Sequence, residues 1–137
     1  MMVFFDTNIL IYAFCKNIDN KEQQNISVRL FDEAIESQNL IISELILCEF
    51  AFVSNKLDED KNNIDDNLKF LSTFLKQSNS NIHQRTMEVL KKTSLYMSSF
   101  DIYHLAFAEY HNAKLFTFDK GFKKLKNLSN IEVAIQQ

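Results

Sequence analysis

Val3-Phe4-Phe5-Asp6-Thr7-Asn8-Ile9-Leu10-Ile11-Tyr12-Ala13-Phe14 is the stretch that decides how the rest of the chain is read. Val3 to Phe5 is a short apolar run of β-branched and aromatic residues, which predicts a buried strand almost at the start. The run stops at an acid. Asp6-Thr7-Asn8 supplies residues that favour helix N-caps and turns, and Ile9 to Phe14 resumes as the opening helix. Asp6 is thereby placed at the carboxyl end of a strand, just ahead of a helix. In open α/β sheets ligands bind at that edge, because the loops diverge there and helix N-termini point into the crevice. A lone Asp in this position is more often an N-cap than a ligand, so its meaning depends on what else reaches the same edge.

The 137 residues fit a single domain spanning 1–137, and a domain near this size buries roughly two thirds of the surface its unfolded chain exposes. Hydrophobic residues make up 46% and charged ones 24%, which argues against disorder. There is no proline and one glycine, Gly121, so turns must be made by Asn, Asp and Ser. The clusters Lys16 to Asn20, Asn62-Asn63 and Ser78 to Asn81 are where they are expected. Cys15 and Cys48 lie in apolar surroundings with no metal-ligand spacing and read as buried free thiols of a reducing cytosol. The N-terminus has no basic region and no cleavage site, and Asp6 interrupts it, so no signal peptide is read. No apolar run approaches the roughly 20 residues of a membrane helix. The expectation is a soluble, cytoplasmic protein without a membrane partner.

Net charge is −3, which weighs mildly against a nucleic-acid partner, since phosphate binding wants basic surface. If four carboxylates belong to one metal-binding site, the rest of the chain stands at +1 against that total of −3. Lys114, Lys120, Lys123, Lys124 and Lys126 crowd the C-terminal quarter, so RNA is not excluded.

Along the chain, Lys21 to Ser37 carries apolar residues at Ile26, Leu30, Phe31, Ala34 and Ile35 and predicts an amphipathic helix. Leu40 to Ile42 predicts a second strand, with Ser43 capping a helix over Glu44 to Lys56 that is apolar on nearly every side and therefore expected at the centre. Asp58 to Asp66 reads as a solvent loop entering a helix from Ile64 to Lys76. Asn79 to His83 reads as a brief extended segment, Thr86 to Met97 as a helix, and Ser98 to His111 as another. Leu115 to Phe118 predicts a strand, Asp119-Lys120-Gly121 a turn, and the alternation over Ile131 to Ile135 a half-exposed edge strand. Strands alternating with helices predict a mainly parallel α/β sheet of four to five strands flanked by helices.

Three further acids share the odd placement of Asp6. Glu49 sits inside the most apolar helix, where its helical neighbours are Leu45, Ile46, Phe52 and Val53, and an ionised side chain there is costly without a partner or a metal. Asp101 can be the acid of a Ser98-x-x-Asp101 capping box, and Asp119 a turn residue. Taken together, two strand ends, a helix start and a central helix can bring all four to one sheet edge. Four close carboxylates repel one another unless a divalent cation offsets the charge. Oxygen-only ligands match Mg²⁺ or Mn²⁺ better than Zn²⁺, and such ions are a standard means of cutting phosphodiesters. His104, three residues after Asp101, suggests a mixed-ligand site on paper; it is read here as a peripheral helix residue.

Asp6-Thr7-Asn8-Ile9-Leu10-Ile11-Tyr12, Ile42-Ser43 followed by Glu49, Asp101 followed by Leu105-Ala106-Phe107-Ala108, and Thr117-Phe118-Asp119 resemble the PIN domain. Within that family the chain looks most like VapC-type toxins of toxin-antitoxin pairs. The resemblance implies a Mg²⁺- or Mn²⁺-dependent ribonuclease whose catalytic acids are Asp6, Glu49, Asp101 and Asp119, with Asp6, Asp101 and Asp119 as metal ligands. It further implies Asn8 and Thr117 as residues orienting ligands or substrate, a cognate antitoxin bringing a basic side chain toward the acids, and a homodimer. Lys120, with Lys123 and Lys124, is the candidate contact to the RNA backbone. The chain departs from the family in lacking a glycine between the Asp101 helix and the last core strand. His111-Asn112-Ala113 stands there, and an Asn in the left-handed conformation can take that role.

Two other classes compete. A PIN-like module acting in binding or scaffolding, or a housekeeping PIN nuclease, would share the whole pattern. Acyl-phosphate receivers and aspartate-nucleophile phosphatases also place an Asp after the first strand, but they want an adjacent acid pair or Asp-x-Asp, and Asp6-Thr7-Asn8 has neither.

Overall fold

The computed structural model describes residues 1–93 and 99–137. The chain runs β1 (Val3–Phe5), α1 (Thr7–Phe14), α2 (Lys21–Ser37), β2 (Leu40–Ser43), α3 (Glu44–Lys56), α4 (Lys61–Ser72), β3 (Leu75–Lys76), α5 (Ser80–Lys92), α6 (Ser99–Tyr110), β4 (Lys114–Thr117), two short 3-10 turns, and β5 (Val133–Ile135). The strands form one sheet in the order β3-β2-β1-β4-β5, and every pairing is parallel. β1 is central: Phe4 pairs with Ile41 of β2 on one side and with Leu115 of β4 on the other. The chain leaves β1 toward β2 and returns across it to β4. The gap between β1 and β4 is therefore the switch point of the topology, where a crevice opens at the carboxyl edge.

A parallel sheet is covered on both faces, so its strands are apolar on both. Phe4 and Phe5 show this directly. The Phe4 ring packs on Phe107 of α6 at 5.0 Å, while Phe5, pointing to the other face, meets Phe31 of α2 at 6.4 Å. Both are buried, as is all of β2. Among the described residues, no helix is long and apolar enough to cross a membrane.

The left-handed backbone positions fall to Gln38, Asp58 and Asn112, with φ of 55°, 56° and 51°. Asn112 thus takes the place expected for it between α6 and β4, and its short polar side chain tolerates that region better than most.

Several elements differ from the sequence expectation. α4 begins at Lys61, because the Asp60 carboxylate caps it by accepting from the Asn62 and Asn63 N–H groups; those asparagines form its first turn, not a loop. It stops at Ser72, where the Ser72 and Thr73 hydroxyls bond back to the Lys69 and Phe70 carbonyls and compete with continuation. Leu75 and Lys76 then pair with Ile42 and Ser43 as an edge strand; two residues are too few to show a period. The segment expected to be extended at Asn79 to His83 is the start of α5, capped by the Asn79 side chain on the Ile82 N–H, and Ile82, Thr86 and Val89 form its buried stripe. The expected end of that helix at Met97 and the Ser98 half of the capping box lie outside the described residues. Asp119-Lys120-Gly121 opens a 3-10 turn over Lys120–Lys124.

α3 is not enclosed on all sides. It buries Ile46, Phe50 and Ser54, while Phe52 is 64% exposed. Cys48, expected to be buried, is exposed, whereas Cys15 is buried. The helix packs as one layer on the sheet, so a stripe of three residues at every fourth position anchors it and its apolar far side faces outward.

Candidate active site

Asp6 is still held in the sheet when its side chain leaves it: its N–H donates to the Phe116 carbonyl at 2.9 Å. Its carboxylate accepts from the Thr7 N–H at 2.8 Å and from the Thr117 hydroxyl at 2.7 Å. It is only 6% exposed. Burial pushes the Asp6 carboxyl above the usual range; the His104 charge, the Thr117 hydroxyl and the Thr7 N–H pull the other way, and the negative charge of Asp101 adds to the rise. These contacts offset the burial of its ionised form only in part.

Thr117 is fully buried. Besides donating to Asp6, its oxygen accepts the Asp119 N–H at 2.9 Å, so one hydroxyl ties the end of β1 to the end of β4. It holds Asp6 in place and has no exposed surface of its own. Asn8 spans the same two ends, its side-chain oxygen accepting the Phe118 N–H at 3.3 Å. Asp119 accepts from the Gly121 N–H at 2.8 Å and so starts the 3-10 turn.

Glu49 projects from α3, two turns after the Ser43 cap, and is half-buried. Its Oε1 accepts two bonds, from the Thr7 hydroxyl at 2.7 Å and from His104 Nε2 at 2.7 Å. Burial pushes this carboxyl up, but the His104 hydrogen bond and charge, with Thr7, outweigh it and hold Glu49 below its ordinary value. His104 is not peripheral: it is fully buried, against Phe4. The Asp-x-x-His spacing on α6 was the signal; only packing shows that the imidazole turns inward.

Asp6, Glu49, Asp101 and Asp119 all line one cavity of about 510 Å³. The sheet edge thus collects all four predicted acids. Asp101 reaches it from the first turn of α6. Ile11, Ile18, Val53 and Leu57 supply an apolar wall, and among the described lining residues there is no Lys or Arg. Lys120 is exposed and lies outside the lining. Two more polar residues, unremarked in the sequence, shape the mouth. Tyr12 donates to Asp19 at 2.6 Å, and that bond, with burial and the Asp19 charge, pushes its hydroxyl up to about 12. Glu59 accepts the Lys16 and Asn17 N–H groups at 2.9 and 2.7 Å, clamping the loop that carries Ile18 and Asp19.

Among the described residues, no three His, Cys, Asp or Glu side chains stand in an arrangement that would hold an ion as they are. The donor set is nonetheless of one kind. Asp6 and Asp101 disfavour each other's charge across the cavity, which a hard divalent cation would reverse. Mg²⁺ needs only one or two carboxylates and keeps several waters, so the chemistry of these donors, carboxylate oxygens, suits such an ion.

A buried aspartate at the switch point of a parallel sheet, facing three other acids across a cleft, defines an α/β protein with an anionic oxygen-ligand site. The chain belongs to the PIN domain family, whose profile matches residues 3–128. No curated protein matches it in sequence. The fold is shared with solved structures at low identity. The VapBC2 complex of Rickettsia felis, bound to a DNA fragment from its promoter, superposes with a TM-score of 0.71 at 20% identity, covering 100% of both chains. FitAcB of Neisseria gonorrhoeae gives 0.70 at 16%, covering 99% of this chain and 97% of the other. A toxin-antitoxin complex of Klebsiella pneumoniae gives 0.65 at 23%, covering 90% and 92%.

Proposed function

We propose that this protein is a Mg²⁺- or Mn²⁺-dependent endoribonuclease, a cytoplasmic toxin of a toxin-antitoxin pair formed of one domain over 1–137 and working as a homodimer. The observation that carries the reading is the convergence of Asp6, Glu49, Asp101 and Asp119 on one cavity. In this reading Asp6, Asp101 and Asp119 hold the cation. When bound, the ion supplies Lewis-acid chemistry, polarising the scissile phosphate and making a water nucleophilic at neutral pH. The chain does the rest. Thr117 and the Thr7 N–H fix the Asp6 oxygens, Asn8 keeps the two strand ends in register, and ionised Glu49 accepts the proton of the attacking water. Lys120, beside Asp119 on the exposed turn, is placed to meet the RNA backbone outside the cavity.

The toxin role is supported by a structural neighbour that is a toxin-antitoxin complex, that of Klebsiella pneumoniae, and by the cavity itself. Acids beside an apolar wall, with no cation in the lining, suit an antitoxin segment that brings one basic side chain between apolar ones. The test is incubation of wild type and Asp101→Asn with cellular RNA, in Mg²⁺ and in EDTA. Cleavage by wild type in Mg²⁺ alone is expected. Equal cleavage by both proteins removes the nuclease reading.

A further inference from the structure

Glu49 is gripped at one oxygen only by the bonds that reach it from Thr7 and His104. Both end on Oε1, each at 2.7 Å, while the side chain keeps 26% of its surface exposed and borders the cavity. A carboxylate oxygen accepts, so the bond between Glu49 Oε1 and His104 Nε2 is donated by the imidazole. That fixes the proton on Nε2. Among the described residues no hydrogen bond reaches the buried His104 Nδ1, so Nε2 carries the polar contact of the ring. Phe4 packs tilted against the ring at 5.9 Å, and the imidazole is fully buried. The imidazole thus sits in the core with Nε2 aimed at a half-exposed carboxylate.

We propose that His104 is a positioning residue: with the Thr7 hydroxyl, its Nε2–H pins Glu49 Oε1, so that Oε2 is presented to the cavity as the oxygen that takes a proton. α6 therefore serves the site twice, through Asp101 in its first turn and through His104 behind Glu49. This rests on the nuclease reading for its consequence but not for its geometry. A carboxylate free to rotate divides its time between productive and unproductive orientations; one with a single oxygen anchored does not.

The experiment compares wild type, His104→Leu and His104→Gln, whose amide N–H can replace the Nε2–H donor. Steady-state cleavage of an RNA oligonucleotide in Mn²⁺ is measured beside crystal structures of the metal-free proteins. His104→Leu is expected to lose about 10- to 100-fold in kcat with KM unchanged, in line with other residues that orient site groups, and to release Glu49 from Thr7. His104→Gln is expected to restore most of the rate and the 2.7 Å contact between Thr7 and Glu49. Should His104→Leu fail to fold, Thr7→Val, which removes the other donor on Oε1, carries the same prediction. Equal kcat losses in the Leu and Gln variants, or a Glu49 that stays in place without His104, overturn the proposal. If wild type cuts no RNA the nuclease reading falls alone, and the position of Glu49 in the variant structures still decides the anchoring.

Discussion

Thr117→Val removes one oxygen from the molecule and keeps its shape, so its cost can be worked out from the bonds that oxygen makes. The hydroxyl is fully buried, donates to Asp6 at 2.7 Å and accepts from the Asp119 N–H at 2.9 Å. A hydrogen bond to a charged group contributes about 1.5–3 kcal/mol. The orphaned Asp119 N–H adds little more, because Asp119 is half-exposed and water can reach its backbone. The sum stays at about 1.5–3 kcal/mol, a large part of the roughly 5–15 kcal/mol that holds a domain folded, and it corresponds to a melting temperature lower by about 10 °C. The bond favours ionised Asp6, so its contribution is present where Asp6 is ionised and is lost as pH falls and the carboxyl takes up a proton. Burial holds that carboxyl above the usual range, so the difference from wild type should shrink on mild acidification. Thr117→Ser, which keeps the hydroxyl, is the control. Urea unfolding in EDTA at neutral and acid pH measures all three proteins. A Thr117→Val loss under about 0.5 kcal/mol, the range of an indifferent surface change, or a Ser variant as weak as the Val variant, would refute the reasoning.

Ultraviolet titration should show Tyr12 ionising at about 12, beside Tyr103, which burial and the Glu44 charge also push up, and Asp19→Asn should return Tyr12 toward the free value. Its folded pKa is raised, so the stability it adds is complete below about 10 and is lost as pH climbs through about 12; a titration without a late-ionising tyrosine contradicts the Tyr12–Asp19 bond. A thiol-alkylating reagent should label Cys48 in the native protein and leave Cys15 untouched until unfolding, since one is exposed and the other buried; mass spectrometry of the peptides decides, and native labelling of Cys15 would contradict the packing of α1.

What was legible in the sequence was local. A strand that ends at Asp6, a Ser43 cap before α3 and an asparagine at a left-handed turn each follow from residue types a few positions apart, and those short-range rules place the elements and name the four acids. Errors appear where a local rule had a rival. The Asp60 cap began α4 early, back-bonding hydroxyls ended it early, and Asn79 turned an expected extended segment into helix.

Local rules could not say which side of a helix faces what, because that depends on residues far away in the chain. Composition alone put α3 at the centre; one face of it is open to solvent. Asp-x-x-His on α6 was visible, but whether the imidazole points out or in depends on Phe4 and Glu49. That Thr117 lies buried against Asp6 depends on β1 and β4 running side by side. The sequence by itself determined that acids stand at the ends of strands and starts of helices. Only the parallel order β2-β1-β4 decided that they share one cavity, since convergence is a property of how strands lie side by side, and side-by-side packing is set by burial over the whole core.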